Sequence, residues 1–296
     1  MNSPPSIAAP VSRRAPVLST AFAPAVWGTT YVVTTLLLPE DHALWSGALR
    51  ALPAGLLLLA ISRKLPSGTW WWKALVLGVL NIGAFFPLLF LAAYALPGGI
   101  AAVFGAASLL VVAALAVPLL SERPTQRRLV WGVLAVVGVA MMVVAPGVAL
   151  NPLGVLAGIA APLSMAVGTV LSKRWGRPVG HVAYAGWQLT AGGLVIVPLA
   201  IVVEGLPPLL DGFALAGYAW LGLVGAALAY TLWFRGVGAM PAGAVAFLPL
   251  ISPLVAAALG WLVLGETLTP FQATGFALAL LAVSCAQRTP PRSGSP

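Results

Sequence analysis

Apolar runs of about twenty residues, the length that spans a bilayer as a helix, recur from one end of this sequence to the other, and no other feature constrains its fold as tightly. Reading between charges, Pro/Gly breaks and polar clusters gives ten runs, at 17–38, 43–62, 70–94, 98–120, 127–146, 152–173, 180–203, 212–235, 241–264 and 269–286. Pro97-Gly98-Gly99 and Pro241-Ala242-Gly243 mark the starts of the fourth and ninth, because proline suits the first turn of a helix. Hydrophobic residues make up 60 % of the chain and charged residues 7 %. Soluble domains run near ~45–50 % and ~25 %, and a water-facing surface cannot be assembled from so few charges. The expected fold is an all-α integral membrane protein of ten transmembrane helices.

The ends of the chain read differently. Residues 1–16 and 288–296 are rich in Pro, Ser, Ala and Arg and are expected to be disordered tails. Arg13 and Arg14 precede the first run, as in a secretory leader. That run is too long for a leader's apolar core of ~7–15 residues, so it is taken as the first span. The single cysteine, Cys285, excludes an internal disulfide framework and a cysteine-based metal cluster.

Charge fixes the expected orientation. Ten spans place both termini on one side. That side collects 14 of the 15 basic residues, in the N-terminal tail and around Arg63, Arg123, Lys173, Arg235 and Arg288. The opposite side collects Glu40, Asp41, Glu204, Asp211 and Glu266. The positive-inside rule then places both termini in the cytoplasm, in a membrane of the bacterial inner type. The net charge of +9 reports this asymmetry and not a nucleic-acid partner.

The chain also repeats. Shifting it by 144 residues aligns 77–125 with 221–269, and 17 of the 49 positions are identical. Apolar composition alone would give ~10–15 %. The pairs include Gly78/Gly222, Pro97/Pro241, Ser108/Ser252 and Glu122/Glu266. Five spans per half is an odd number, so the second half (149–287) enters the membrane upside down relative to the first (17–148). The basic loops swap sides between the halves accordingly. Inverted repeats are the sequence signature of alternating-access transporters, with the substrate near the midplane.

These features resemble the drug/metabolite transporter superfamily in its EamA-type branch. The residues that carry the resemblance are Trp27-Gly28-Thr29, Arg50, the two Pro-x-Gly helix starts, Ser121-Glu122-Arg123 and Gly265-Glu266-Thr267. Within the branch the chain is most similar to YddG-type exporters of aromatic and other neutral amino acids. The resemblance implies a ten-helix carrier whose central cavity is lined largely by helices 1, 3, 4, 6, 8 and 9.

The polar and aromatic residues within the spans define the expected substrate site. Trp27, Thr30 and Tyr31 share a face of helix 1, and helix 3 offers Asn81, Phe85 and Phe86. Ser108 and Ser252 occupy matching positions of helices 4 and 9. Ser164 and Gly168 lie on helix 6, Gln188 on helix 7 and Tyr230 on helix 8. Such a lining suits aromatic or aliphatic side chains by stacking and dispersion. Arg50 is the only basic residue set apart from the basic loops. It reads either as a carboxylate or gate partner or as a snorkelling side chain that reaches the external headgroups or helix-end carbonyls.

No acid sits mid-span, which disfavours coupling through a buried carboxylate and favours a facilitator driven by the solute's own gradient. The expected partners are a small neutral solute and the bilayer, with no obligatory protein partner and no cofactor. A membrane transferase would need an acidic cluster to hold Mg²⁺, and only Glu40-Asp41 are adjacent. Nucleotide sugars or phosphate esters would want several intramembrane cations, and efflux of other metabolites or drugs is the broader alternative.

Overall fold

The structure, a computed structural model, describes residues 14–96, 104, 108–122, 125–143, 151–265 and 269–287. Among these residues every element is helical and there is no strand. A chain in a bilayer must satisfy its backbone groups within each segment, and a helix does this.

The first apolar run is a broken helix, α1 (Arg14–Gly28) and α2 (Thr30–Leu37). It begins at Arg14, so the helix reaches into the segment expected to be a tail; the rest of that tail and 288–296 lie outside the described residues. Next come α3 (Ala43–Ser62) and α4 (Trp70–Gly78), which runs through a π-helical turn (Val79–Gly83) into α5 (Phe85–Ala95). After them lie α6 (Ser108–Leu120), α7 (Gln126–Val143), α8 (Pro152–Trp175) and α9 (His181–Val203). Then α10 (Gly212–Ala219) passes through a second π segment (Trp220–Leu228) into α11 (Ala229–Ala239), which carries the helix past Arg235, the expected end of the eighth span. The chain ends in α12 (Ala242–Val245), a 3₁₀ turn (Leu248–Leu250), α13 (Ile251–Val263) and α14 (Pro270–Gln287). Six of the described helices are long and apolar enough to cross a membrane: 43–62, 70–95, 152–175, 181–203, 212–239 and 242–263. Outward-facing leucines such as Leu56, Leu156, Leu194 and Leu199 are exposed along them, as lipid-facing positions should be. The molecule is a multi-pass membrane protein.

Local signals set the helix starts. Asn151 accepts from the N–H groups of Leu153 and Gly154 at the start of α8, with Pro152 in its first turn. Asp211 accepts from Ala214 N–H at 2.7 Å to begin α10. The start of α3 is capped from a distance. Glu204, just past α9, accepts from the N–H groups of Leu44 and Trp45 at 2.7 and 2.9 Å. These are orphan donors of a helix N-terminus, where a carboxylate is also favoured by the helix dipole. Glu204→Ala is expected to cost about 1–2 kcal/mol, read as a lower melting temperature in detergent. Glu204→Gln should recover part of the loss.

The central crossing is that of α3 with α9. A Cβ on Gly55 would strike the backbone N of Thr190 and lie 2.9 Å from the Leu189 carbonyl carbon. A Cβ on Gly193 would lie 2.9 Å from the Cα of Leu52. Leu52 and Thr190 are 138 residues apart in the chain, as are Gly55 and Gly193, so each contact has its counterpart across the crossing. Around it, α8 packs on α5 and α6, while α1 packs on α11 and α13; α7 and α14 pair at one flank. Glycine here is a requirement of close approach, as is usual where membrane helices touch backbone to backbone.

Candidate substrate cavity

The break between α1 and α2 opens the centre of the bundle. Thr29 turns its hydroxyl back to the Val26 carbonyl at 2.7 Å. Gly28 seats this bend against the Ser252 carbonyl and Val255, where a Cβ would come within 2.6 Å of both. Trp27 and Tyr31 then face a cavity of about 80 Å³, several times the ~10–15 Å³ that one water needs on this measure. Phe85 and Leu89 of α5, Ser108 and Val112 of α6, and Trp233 of α11 share its wall. The α8 stripe from Gly158 to Thr169 and the segment from Val245 to Pro253 complete it.

Arg50 joins that wall from α3. It is 1 % exposed, and its terminal nitrogens turn to groups inside the bundle. Its Nη1 donates to Thr30 Oγ1 at 3.2 Å and its Nη2 donates to the Gly225 carbonyl at 3.2 Å. The guanidinium lies 4.5 Å above the Phe86 ring, a cation–π contact strengthened by desolvation. The same Gly225 carbonyl accepts from Trp27 Nε1 at 2.9 Å. Gly225 lies in the π segment Trp220–Leu228. A π turn changes the hydrogen-bond register of a helix, and such turns are frequent at functional sites. Trp27 stacks obliquely on Tyr230 and Trp233, with ring centroids 5.1 and 5.3 Å away.

A second polar cluster sits behind this wall, at the other π turn. Asn81 Nδ2 donates to Gln188 Oε1 at 2.7 Å, and both residues are fully buried. The Tyr230 hydroxyl donates to the Asn81 carbonyl at 3.3 Å, and Ser164 Oγ donates to the Leu80 carbonyl at 2.8 Å. Gly168 lies directly under the Asn81 side chain, which leaves no room for a Cβ. The two clusters correspond. Arg50 and Gln188 are 138 residues apart, Asn81 and Gly225 are 144 apart, and each α3 or α9 residue meets the π turn of the opposite half.

Of the residues singled out in the sequence, Trp27, Tyr31, Arg50, Phe85, Ser108 and Ser252 meet at the cavity. Thr30 and Phe86 lie behind Arg50 and hold it. Asn81, Ser164, Gly168, Gln188 and Tyr230 belong to the second cluster and do not line the chamber. Phe85 faces the chamber, whereas Phe86 turns its ring to Arg50 and Tyr230. The α8 stripe of Gly158, Pro162, Met165 and Thr169 is part of the wall, and its Pro162 and Met165 are the residues that sequence reasoning passed over. Its spacing of three and four residues, anchored on Thr169, was a readable signal.

The chain belongs to the EamA-like transporter family, whose sequence profile matches residues 14–144 and 152–286. It is 44 % identical to Protein PecM of Dickeya dadantii over 86 % of each chain. It is 31 % identical to the Uncharacterized inner membrane transporter YedA of Escherichia coli strain K12, over 87 % of this chain and 86 % of that one. It is also 26 % identical to the Probable amino-acid metabolite efflux pump of Salmonella typhimurium, over 86 % and 89 % of the two chains. A solved crystal structure shares the fold, with a TM-score of 0.76 over 93 % of this chain and 97 % of its own, at 20 % identity.

Proposed function

We propose that this protein is a facilitative secondary transporter that exports small neutral amino acids with aromatic or apolar side chains, by alternating access about the cavity between Trp27, Arg50 and Trp233. The chamber carries the reading, with aromatic and aliphatic walls, scattered hydroxyls and no acid among the described residues. Such a lining rewards apolar side chains by dispersion and stacking. The similarity to the Salmonella protein, a Probable amino-acid metabolite efflux pump, supports the cargo class.

Ten spans in two inverted halves, 17–148 and 149–287, supply the rocking elements. The paired contacts of α3 with α9, the matching π turns and the two stretches matched by the family profile support this arrangement. Both termini face the cytoplasm of a bacterial-type inner membrane, on the strength of the basic loops. Glu266 and the Pro97-Gly98-Gly99 start lie outside the described residues and add nothing to it.

The test is radiolabelled phenylalanine, tryptophan, methionine and leucine flux in proteoliposomes, with and without an imposed pH gradient. Saturable flux independent of the gradient is expected. Trp27→Ala should lower kcat/KM at least tenfold, because it removes both the stack and the bond to Gly225. Absence of amino-acid flux alongside flux of a cationic dye or a nucleotide sugar would overturn the cargo and leave the carrier standing.

A further inference from the structure

Two buried polar atoms on the cavity wall have no partner among the described residues: Arg50 Nε and Trp233 Nε1. Both residues are 1 % exposed. Both atoms are donors with no capacity to accept. Arg50 engages Thr30 and Gly225 through its two terminal nitrogens, so the unused Nε–H lies on the edge of the guanidinium that pairs side-on with a carboxylate. Trp27 packs against Trp233, and its own N–H is taken by the Gly225 carbonyl that Arg50 also binds.

Charge sharpens the picture. Among the described residues no acidic side chain lines the cavity. Glu122 and Glu204 are occupied at helix starts by the N–H groups of Ala242 and of Leu44 and Trp45. Arg50 is thus a buried cation whose neighbours are a hydroxyl, a carbonyl and a ring. A buried charge without a counter-ion costs several kcal/mol, and an arriving anion relieves that cost. Among the described residues the cavity wall offers no matching anion to an arriving ammonium.

We infer that Arg50 and Trp233 form a carboxylate site, so that the transporter recognises its substrate by the acid end and the apolar body, not by the amine. Resting on the cargo reading above, this fixes which substrate atoms matter. An arylalkyl carboxylate without an amino group should bind, and the arylalkyl amine without a carboxylate should not. One monovalent cation in a mostly apolar chamber also disfavours phosphorylated cargo, whose second charge would find no partner.

The experiment measures thermal stabilisation of the full-length protein in nanodiscs by phenylalanine, 3-phenylpropionate and 2-phenylethylamine, beside phenylalanine flux in proteoliposomes. Phenylalanine and 3-phenylpropionate are expected to stabilise the wild type, with 2-phenylethylamine at least tenfold weaker. Arg50→Gln should weaken 3-phenylpropionate binding at least tenfold, and Trp233→Phe, which keeps the ring and loses the N–H, by about threefold to tenfold. If Arg50→Gln does not fold, Arg50→Lys takes its place: it keeps the charge and loses the fork, so tenfold weaker binding is again expected. If neither folds, the acid-to-amine preference of the wild type decides.

Equal binding of acid and amine, no stabilisation by any of the three compounds, or wild-type affinity for the acid in Arg50→Gln would overturn the site. Phenylalanine flux that the amine inhibits as well as the acid would overturn it too, leaving the amino-acid carrier intact. Arg50-dependent binding of 3-phenylpropionate without amino-acid flux would do the reverse: the carboxylate site stands and the amino-acid cargo falls.

Discussion

Replacing Gly55 and Gly193 together with alanine is expected to destabilise the folded protein by about 2–4 kcal/mol, although alanine is the better helix former. Two effects of opposite sign compete. In a helix interior alanine gains about 0.8–1.0 kcal/mol over glycine, which favours the variant at both sites. Against this, each new methyl would meet backbone at the crossing of α3 with α9: Thr190 N and the Leu189 carbonyl carbon at one site, Leu52 N and Cα at the other. Backbone cannot rotate away as a side chain can. Overpacking of a tight core costs about 1–3 kcal/mol per site, and more when helices must separate. The clash therefore wins, and the two helices that carry Arg50 and Gln188 move apart.

The check is the midpoint of thermal unfolding in detergent, followed by size-exclusion recovery. Gly180→Ala is the control: its φ of −59° suits any residue and nothing lies within 4 Å of a Cβ there, so its midpoint should stay at the wild-type value. A double variant that melts with the wild type would show that this crossing has slack.

The helices themselves were legible because length and apolarity decide a membrane span with little help from tertiary context. The second run was read as 43–62, and α3 is Ala43–Ser62. The seventh differs from α9 by one residue at its start. Side-chain destinations were less legible. Arg50 stands two turns from the start of α3, a depth from which a guanidinium can snorkel. What holds it inside is the carbonyl of Gly225, a residue 175 positions away. That carbonyl is available within a π segment, and the apolar pattern of 220–228 is the same whether the turn is α or π. Asn81 and Gln188 are separate candidates in the sequence; in the fold Asn81 Nδ2 donates to Gln188 Oε1 across 107 residues, while Asn81 Oδ1 and Gln188 Nε2 have no partner among the described residues. The hydroxyls that do face the chamber, at Ser108 and Ser252, were found because the repeat placed them in equivalent positions. Symmetry thus carried information that polarity alone did not.

Glu122→Ala is expected to raise access to the central cavity about tenfold from the end of the bundle that bears the basic residues. At that end three segments are pinned together. Glu122, just past α6, accepts from the Ala242 N–H at 2.7 Å, the start of α12, and its other oxygen lies 3.4 Å from Lys173 Nζ. Lys173, in the last turn of α8, donates in turn to the Met240 carbonyl at 2.7 Å. The carboxylate thus caps one helix and neutralises a cation on another. The pair is partly exposed, so its Coulomb energy is modest and salt-sensitive. The cap and the charged hydrogen bond together are worth about 1–2 kcal/mol, and every 1.4 kcal/mol is a factor of ten in an equilibrium. If the two halves rock as proposed, these bonds break in each cycle, and removing them shifts the population towards the state open at that end.

Ala246 is the reporter. It is buried and lines both the central cavity and the cleft of about 540 Å³ that holds Glu122 and Lys173. With Cys285 replaced by serine, Ala246→Cys should react slowly with a water-soluble maleimide, and about ten times faster once Glu122→Ala is added. Glu122→Gln, which keeps a capping acceptor and loses the ion pair, should fall between the two. Raising the salt should speed labelling of the background protein more than that of Glu122→Gln, because only the former has an ion pair left to screen. Labelling of Glu122→Ala at the background rate would mean that the cap and the ion pair fasten the helix ends without governing the passage between them.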